Sequence, residues 1–384
     1  MAPPTTWYPQ DMTPLRELEL LLRPAGAGLF TVSTGKAEQV ALAQRLYGVH
    51  RPEDIVPAWR DALGKLTSAR VVVLGIPSDC GAGLVRGAAF GPQAIRTEML
   101  RQRPDLAQWA AERGIVDLGD VPAIPQLLVD DMLSSEQLTA ARLALYPQQE
   151  AETHDFPVSP LSIAERVLER VLTIHPHVRP FVLGGDHSVA FPVVAVLGRR
   201  YGPTLGIVQP DAHTDLLEQR LGIRLCFATW AFHANRLLAG PGRLVQVGIR
   251  ASSKSQAFWE DSLGVRQLWA KEVLTKPADT VVEDIVEHLR KVGVEHVYFS
   301  NDIDGTDAAF APSTGAPEPG GLAPDFVNRL IAALGSSFRL VGADLVEVAP
   351  SVGSAEDRQH TLSVAAGYAF ASLEALLERS EHAG

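Results

Sequence analysis

Cysteine is nearly absent. The 384 residues hold only Cys80 and Cys226, too few for a disulfide framework or a cysteine-based zinc site. Cations are outnumbered, 34 Lys and Arg against 45 Asp and Glu, for a net charge of −11. Sequence-independent nucleic-acid binding needs cations to neutralise phosphates, so no nucleic-acid partner is expected. Long apolar runs are missing as well: Val71–Gly75 and Phe191–Leu197 fall far short of the roughly 18 residues of a membrane span. The opening stretch MAPPTTWYPQDMTPL has neither the basic nor the apolar segment that directs secretion. With free thiols besides, the cytoplasm is the expected compartment and no membrane is expected as a partner. What remains is ordinary for a folded chain, 46% apolar and 21% charged residues, with length enough for one large α/β domain or two smaller ones.

Residues 1–66 differ from the rest. Leu15–Leu22, Glu38–Leu46 and Pro52–Leu63 have helical spacing, joined by the small-residue segment RPAGAGLFTVSTG, a loop by composition. They read as an N-terminal helical extension that packs on the main domain (67–384) or on a neighbouring subunit. From Ala69 onward short β-branched runs alternate with amphipathic stretches. The runs are Arg70–Gly75, Pro180–Gly184, Thr204–Val208, Leu244–Ile249, His296–Ser300 and Arg339–Ala343; helical spacing marks Ile163–His175, Phe191–Tyr201, Thr280–Val292 and Asp325–Leu334. Near-continuous apolar strands indicate a sheet covered on both faces. The predicted fold is therefore a three-layer α/β/α domain with a mainly parallel sheet. Ile124–Pro160 is read as an insertion or long loop, with a helix starting near Ser134 or Ser135.

Polar residues gather just beyond the strands. Gly184-Gly185-Asp186-His187-Ser188 follows one, Asp211-Ala212-His213-Thr214-Asp215 a second, and Ser300-Asn301-Asp302-Ile303-Asp304 a third. Ligands of open parallel sheets bind at the strands' carboxyl ends. Asp211, Asp215, Asp302 and Asp304 in one pocket could not all ionise without cations, because like charges raise one another's pKa. Carboxylates mixed with imidazoles suit Mn²⁺, Zn²⁺, Fe²⁺ or Ni²⁺ better than Ca²⁺ or Mg²⁺. Six ligands exceed one tetrahedral ion and fit two that share bridging carboxylates.

The stretches GGDHS (184–188), DAHTD (211–215) and SNDIDGTDAAFAPSTGAPEPGG (300–321) resemble the signatures of the ureohydrolase family, which includes arginase and agmatinase. RGAAFGPQAIR (86–96), QVGIR (246–250) and GADLVEVAP (342–350) support the likeness, which spans about residues 69–375. It implies an arginase-like fold and two divalent ions, manganese first and nickel as an alternative. One ion would be held by His187, Asp211, Asp215 and Asp302. The other would be held by His213, Asp211, Asp302 and Asp304. The implied reaction removes urea from a small guanidino substrate, with Glu318 pairing with guanidinium nitrogens and Asp215 passing a proton to the departing nitrogen. The implied assembly is a homo-oligomer, trimer or hexamer.

The pattern breaks at Leu225–His233 (LCFATWAFH), where agmatinases carry His-Gly-Thr or His-Gly-Ser. With Thr229 at the family's threonine, Phe227 stands where the histidine belongs. His233 is then a candidate substitute for the missing catalytic histidine, and Thr229 and Trp230 are candidate substrate contacts, Trp230 through cation–π interaction. The substrate could be agmatine-like, a guanidinoalkanoate or guanidine itself. The alternatives are a formimidoylglutamate hydrolase-like activity and a catalytically silent partner of an active paralogue. A deacetylase-type reading with one zinc is disfavoured by the second ligand set, His213 and Asp304.

Overall fold

The computed structural model describes residues 12–29, 34–147 and 150–378. The expected loop RPAGAGLFTVSTG lies partly, and the opening eleven residues wholly, outside them. Eight strands form one sheet: β1 (Val71–Ile76), β2 (Ile115–Asp120), β3 (Arg179–Gly184), β4 (Leu205–Pro210), β5 (Leu244–Ile249), β6 (Arg266–Trp269), β7 (His296–Asp302) and β8 (Arg339–Val346). Their order is β2-β1-β3-β8-β7-β4-β5-β6, and every pairing is parallel.

Successive side chains of each strand enter opposite layers, as the two-residue strand period requires. Val72, Leu74 and Ile76 of β1 join a core with the helix Pro160–Ile174 and the helix Ala190–Tyr201. Val71 and Val73 join the other core, under helices Gly91–Gln102, Ala278–Lys291, Pro324–Ser337 and Ala355–Leu377. The expected three layers are present.

All six predicted strands are there. The two that patterning missed, β2 and β6, are the outer strands of the sheet. β2 reads IVDLGD because its acids meet a buried arginine, Arg96. β6 is four residues long, RQLW, and only partly covered. Within Ile124–Pro160 a helix runs over Ser135–Leu145, with Ser134 as its cap and Gln137 closing a capping box. The Asp130 carboxylate accepts the Val158 and Ser159 N–H groups, so this segment is tied to the domain.

Residues 12–29 and 34–68 pack on the same chain. Leu18, Leu21, Trp59 and Leu63 are buried in the first core, and Trp59 Nε1 donates to the Leu118 carbonyl at 2.9 Å. Glu17 is buried between Arg166 and Arg170. Among the described residues no helix is long and apolar enough to cross a membrane.

Candidate metal centre

Strand order places the relevant ends side by side. β3, β8, β7 and β4 are consecutive in the sheet, and the chain reverses direction across it there, the position where open α/β sheets bind ligands. The turns beyond β3, β4 and β7 bring five of the six expected metal ligands into two groups whose donor atoms lie within 4.8 Å of one another. His187, Asp211 and Asp302 form one, Asp211, His213 and Asp304 the other. Asp211 belongs to both.

His187 Nδ1 stands 3.2 Å from Asp211 Oδ2, 3.3 Å from Asp215 Oδ2 and 3.0 Å from Asp302 Oδ2. Asp215 thus reaches the first group through His187. His213 Nδ1 lies 3.0 Å from Asp304 Oδ2 and 3.7 Å from Asp211 Oδ1. Asp302 falls with His187 rather than His213.

Local backbone geometry aims these groups. His213 N–H donates to Asp211 Oδ1 (2.6 Å) and Asp304 N–H to Asp302 Oδ1 (2.8 Å), so each acid folds back over its own turn. Asp215 has φ +52° and Glu347, one residue past β8, φ +61°. Side chains other than glycine seldom occupy that left-handed region, and when they do they cluster at functional sites.

A second ring of side chains fixes the first. His187 Nε2 meets Ser300 Oγ at 3.0 Å, and Ser300 donates in turn to the buried Asp344 of β8. Asp211 sits at the end of an amide chain that crosses three strands. Trp269 Nε1 donates to Gln267 Oε1 (2.9 Å), Gln267 Nε2 to Gln246 Oε1 (2.8 Å), Gln246 Nε2 to Gln209 Oε1 (2.9 Å) and Gln209 Nε2 to Asp211 Oδ2 (2.6 Å). An indole N–H only donates and a carboxylate only accepts, so both ends dictate the same direction for every amide between them.

The electrostatics state what is missing. Burial lowers the pKa of the His187 imidazole, yet Asp211, Asp215 and Asp302 outweigh it and hold it well above its ordinary value. Burial also opposes the charge on His213, which Asp211 and Asp304 nevertheless push up to about 12. Burial and the neighbouring Asp211 carboxylate raise Asp215 to about 6. Burial, Asp304 and Asp211 raise Asp302. Among the described residues no Lys or Arg pairs with these acids or with Glu347, and Arg250 spends its guanidinium on the carbonyls of Gly248, Asp304, Gly305, Thr306 and Glu318.

Three expected contacts, those of His233, Thr229 and Trp230, fall elsewhere. His233 turns its Nε2 to the carbonyls of Glu218 (3.1 Å) and Arg224 (2.8 Å), tying down the loop after β4 rather than joining the acids. Thr229 Oγ1 accepts the Cys226 N–H at 2.8 Å and is fully buried. Trp230 is also fully buried: its Nε1 donates to Asp215 Oδ2 at 3.0 Å and its ring lies 4.4 Å from that of His187, tilted by 30°. It buttresses two expected ligands and offers no open face to a cation. Glu318 is partly exposed, and its carbonyl serves Arg250.

Glu347 is the acid that sequence reasoning passed over. It is 9% exposed, and its Oε1 accepts the His187 N–H at 2.9 Å. Burial and the neighbouring Asp186 hold its pKa well above the ordinary carboxylate range. It lies inside the GADLVEVAP stretch at a strand end, the signal that found the other acids.

Comparison with known proteins agrees with this geometry. The arginase family profile matches residues 69–373. A guanidinobutyrase of Pseudomonas aeruginosa is 31% identical over 318 residues, 81% of this chain and 85% of that protein. A mitochondrial agmatinase of Gallus gallus is 32% identical over 286 residues, 72% of this chain and 73% of that protein. The solved proclavaminate amidino hydrolase from Streptomyces clavuligerus superimposes with a TM-score of 0.61 at 28% identity, covering 80% of this chain and 92% of that one.

Proposed function

The chain belongs to the arginase family, and from that premise we propose that it hydrolyses a small guanidino compound to urea and an amine or ammonia. The observation that carries the reading is the sharing of Asp211 between two groups of metal-type donors. The donors suit a cation. His187 Nδ1 is buried without a hydrogen-bond donor or acceptor suited to it and faces three carboxylate oxygens at 3.0–3.3 Å. A divalent ion would satisfy all four groups at once. His187, Asp211, Asp215 and Asp302 would hold one ion, and His213, Asp211, Asp304 and Asp302 the other. Bound there, a pair of ions supplies positive charge and brings the pKa of a water toward neutrality.

The chain's own residues account for the rest. We assign the guanidinium to Glu347 rather than Glu318, because one oxygen of Glu347 is fixed by the His187 N–H and the other is left for a planar cationic fork. Asp215 Oδ2 accepts from Trp230, which leaves Oδ1 as the proposed atom to hand a proton to the leaving nitrogen, since that nitrogen departs poorly unless protonated. Manganese is the proposed ion, with nickel acceptable to the same donors. A homo-oligomer, trimer or hexamer, in the cytoplasm is the proposed setting.

The test combines metal analysis of reconstituted protein, light scattering, and urea release from agmatine, 4-guanidinobutanoate, arginine and guanidine. Two ions per chain and urea from a member other than arginine are expected. Formamide released from formimidoylglutamate without urea from any guanidino compound, or protein that takes up no metal, sinks the proposal.

A further inference from the structure

Beside the acid cluster lies a cavity of about 580 Å³ that the reaction so far does not use. Its walls come from the loops after β1, β2 and β4, so it opens on the same sheet edge as the acids. Its floor is shared with them. Gly81 donates its N–H to Asp186, the neighbour of His187, at 3.0 Å. A Cβ on Gly81 would come within 2.8 Å of Ser188 Oγ, so glycine keeps that floor thin. On the other side, Cys226 N–H binds Thr229, and the next residue, Trp230, holds Asp215. Residues 226–230 are thus a common wall between cavity and cluster.

The lining is apolar, with Leu84, Leu128, Met132 and Phe227 prominent, and one lining side chain is charged: Arg220. Its guanidinium lies 4.8 Å from the centre of the Phe227 ring. No carboxylate among the described residues pairs with it; its neighbour Arg224, by contrast, is paired with Asp131 at 2.7 Å. An unpaired guanidinium laid over an aromatic ring at the rim of an apolar cavity is an oriented anion receptor.

We propose that Arg220 selects the substrate class: linear guanidino acids, whose guanidinium enters the acid cluster, whose methylenes cover Phe227 and whose carboxylate ends on Arg220. The inference rests on the ureohydrolase reading above. Charge decides the discrimination. A guanidino acid presents its cation to uncompensated carboxylates and its anion to an uncompensated arginine. Agmatine, with an ammonium at the far end, sets like charge against Arg220. Arg220 is here a specificity residue, remote from the bond that breaks.

The experiment compares kcat/KM for 4-guanidinobutanoate and agmatine in the metal-loaded full chain. Preference for the acid by about tenfold or more is expected, tenfold corresponding to one well-formed charged contact. Arg220→Gln should raise KM for the acid by about tenfold with kcat little changed, the mark of binding energy common to ground and transition states. Arg220→Lys should recover part of that loss, and Arg220→Glu should turn the preference toward agmatine. Thermal unfolding and metal content identify a variant that has failed to fold. In that event inhibition of the unaltered protein by butanoate against butylamine decides, the carboxylate being the stronger inhibitor and losing strength with added salt. Urea release that favours agmatine and keeps its ratio in Arg220→Gln overturns this inference while leaving the ureohydrolase reading intact. Absence of urea from every guanidino compound overturns both.

Discussion

Among the described residues, the buried acids around Arg96 and those around His187 and His213 are balanced differently. At the outer strand β2, Asp117 and Asp120 face Arg96. The guanidinium grips Asp117 with two bonds of 2.8 and 2.9 Å and Asp120 with a third of 2.6 Å. Asp120 Oδ2 then accepts the N–H of Gly26 at 2.7 Å, pinning the N-terminal segment. Gly75 makes room for this, since a Cβ there would lie 1.9 Å from Asp120 Oδ1. At the centre of the sheet, Asp211, Asp215, Asp302 and Asp304 have His187 and His213 as their ion-pair partners, and among the described residues no Lys or Arg forms a salt bridge with them or with Glu347. The first cluster carries its own cation and is part of the scaffold. The second is short of positive charge, and that deficit is what identifies it as a binding centre.

The comparison can be broken by substitution. Asp211→Ala removes a donor from both groups, so urea release should fall by more than about a thousandfold, since losing even a supporting partner of a metal ligand costs roughly 10–100-fold. Metal analysis should show at most one ion per chain. Arg96→Met should leave two acids unpaired and cost about 3–5 kcal/mol in denaturant unfolding, while metal content per folded chain stays at two. A drop in metal content alongside would mean that the clusters are not independent.

The sharper pair is Asp302→Asn against Asp120→Asn in metal-free protein. The first relieves repulsion and should stabilise by about 1 kcal/mol. The second breaks a satisfied ion pair and should destabilise. Both moving in one direction would erase the distinction drawn here. Trp230→Phe keeps the ring over His187 but removes the N–H to Asp215, so metal affinity measured by calorimetry should weaken by about 10–100-fold. His233→Ala, which loses hydrogen bonds to loop carbonyls and edge-on contacts with Phe191 and Phe232 but none with the acids, should change kcat/KM by no more than about twofold.

The acid cluster was largely legible in the sequence because its residues sit in short local motifs, each directly after an apolar run. A parallel sheet turns that spacing into proximity without further information. Glu347 escaped because its strand end carries no histidine and only Asp344 beside it, so its place just past the strand was its one local signal. The glutamine chain could not be seen at all. Gln209, Gln246 and Gln267 lie on separate strands, and only the register pairing Gln209 with Gln246 and Gln246 with Gln267 aligns them. Trp230 was visible as an aromatic near the site, but its role depends on the rotamer that sends its N–H inward. β2 was hidden by the two acids, Asp117 and Asp120, that Arg96 neutralises from 21 and 24 residues earlier.

Among the described residues, two of the three non-glycine residues with left-handed backbone, Asp215 and Glu347, belong to the centre. Each such conformation costs about 1–3 kcal/mol, and among the described residues no Lys or Arg pairs with the acids gathered there. A ligand that binds only the folded form adds stability in proportion to the logarithm of its excess over Kd. If the centre binds the proposed ions, their supply should set how long each copy of this protein survives unfolding and proteolysis. In a metal-starved cell its abundance should fall together with its activity.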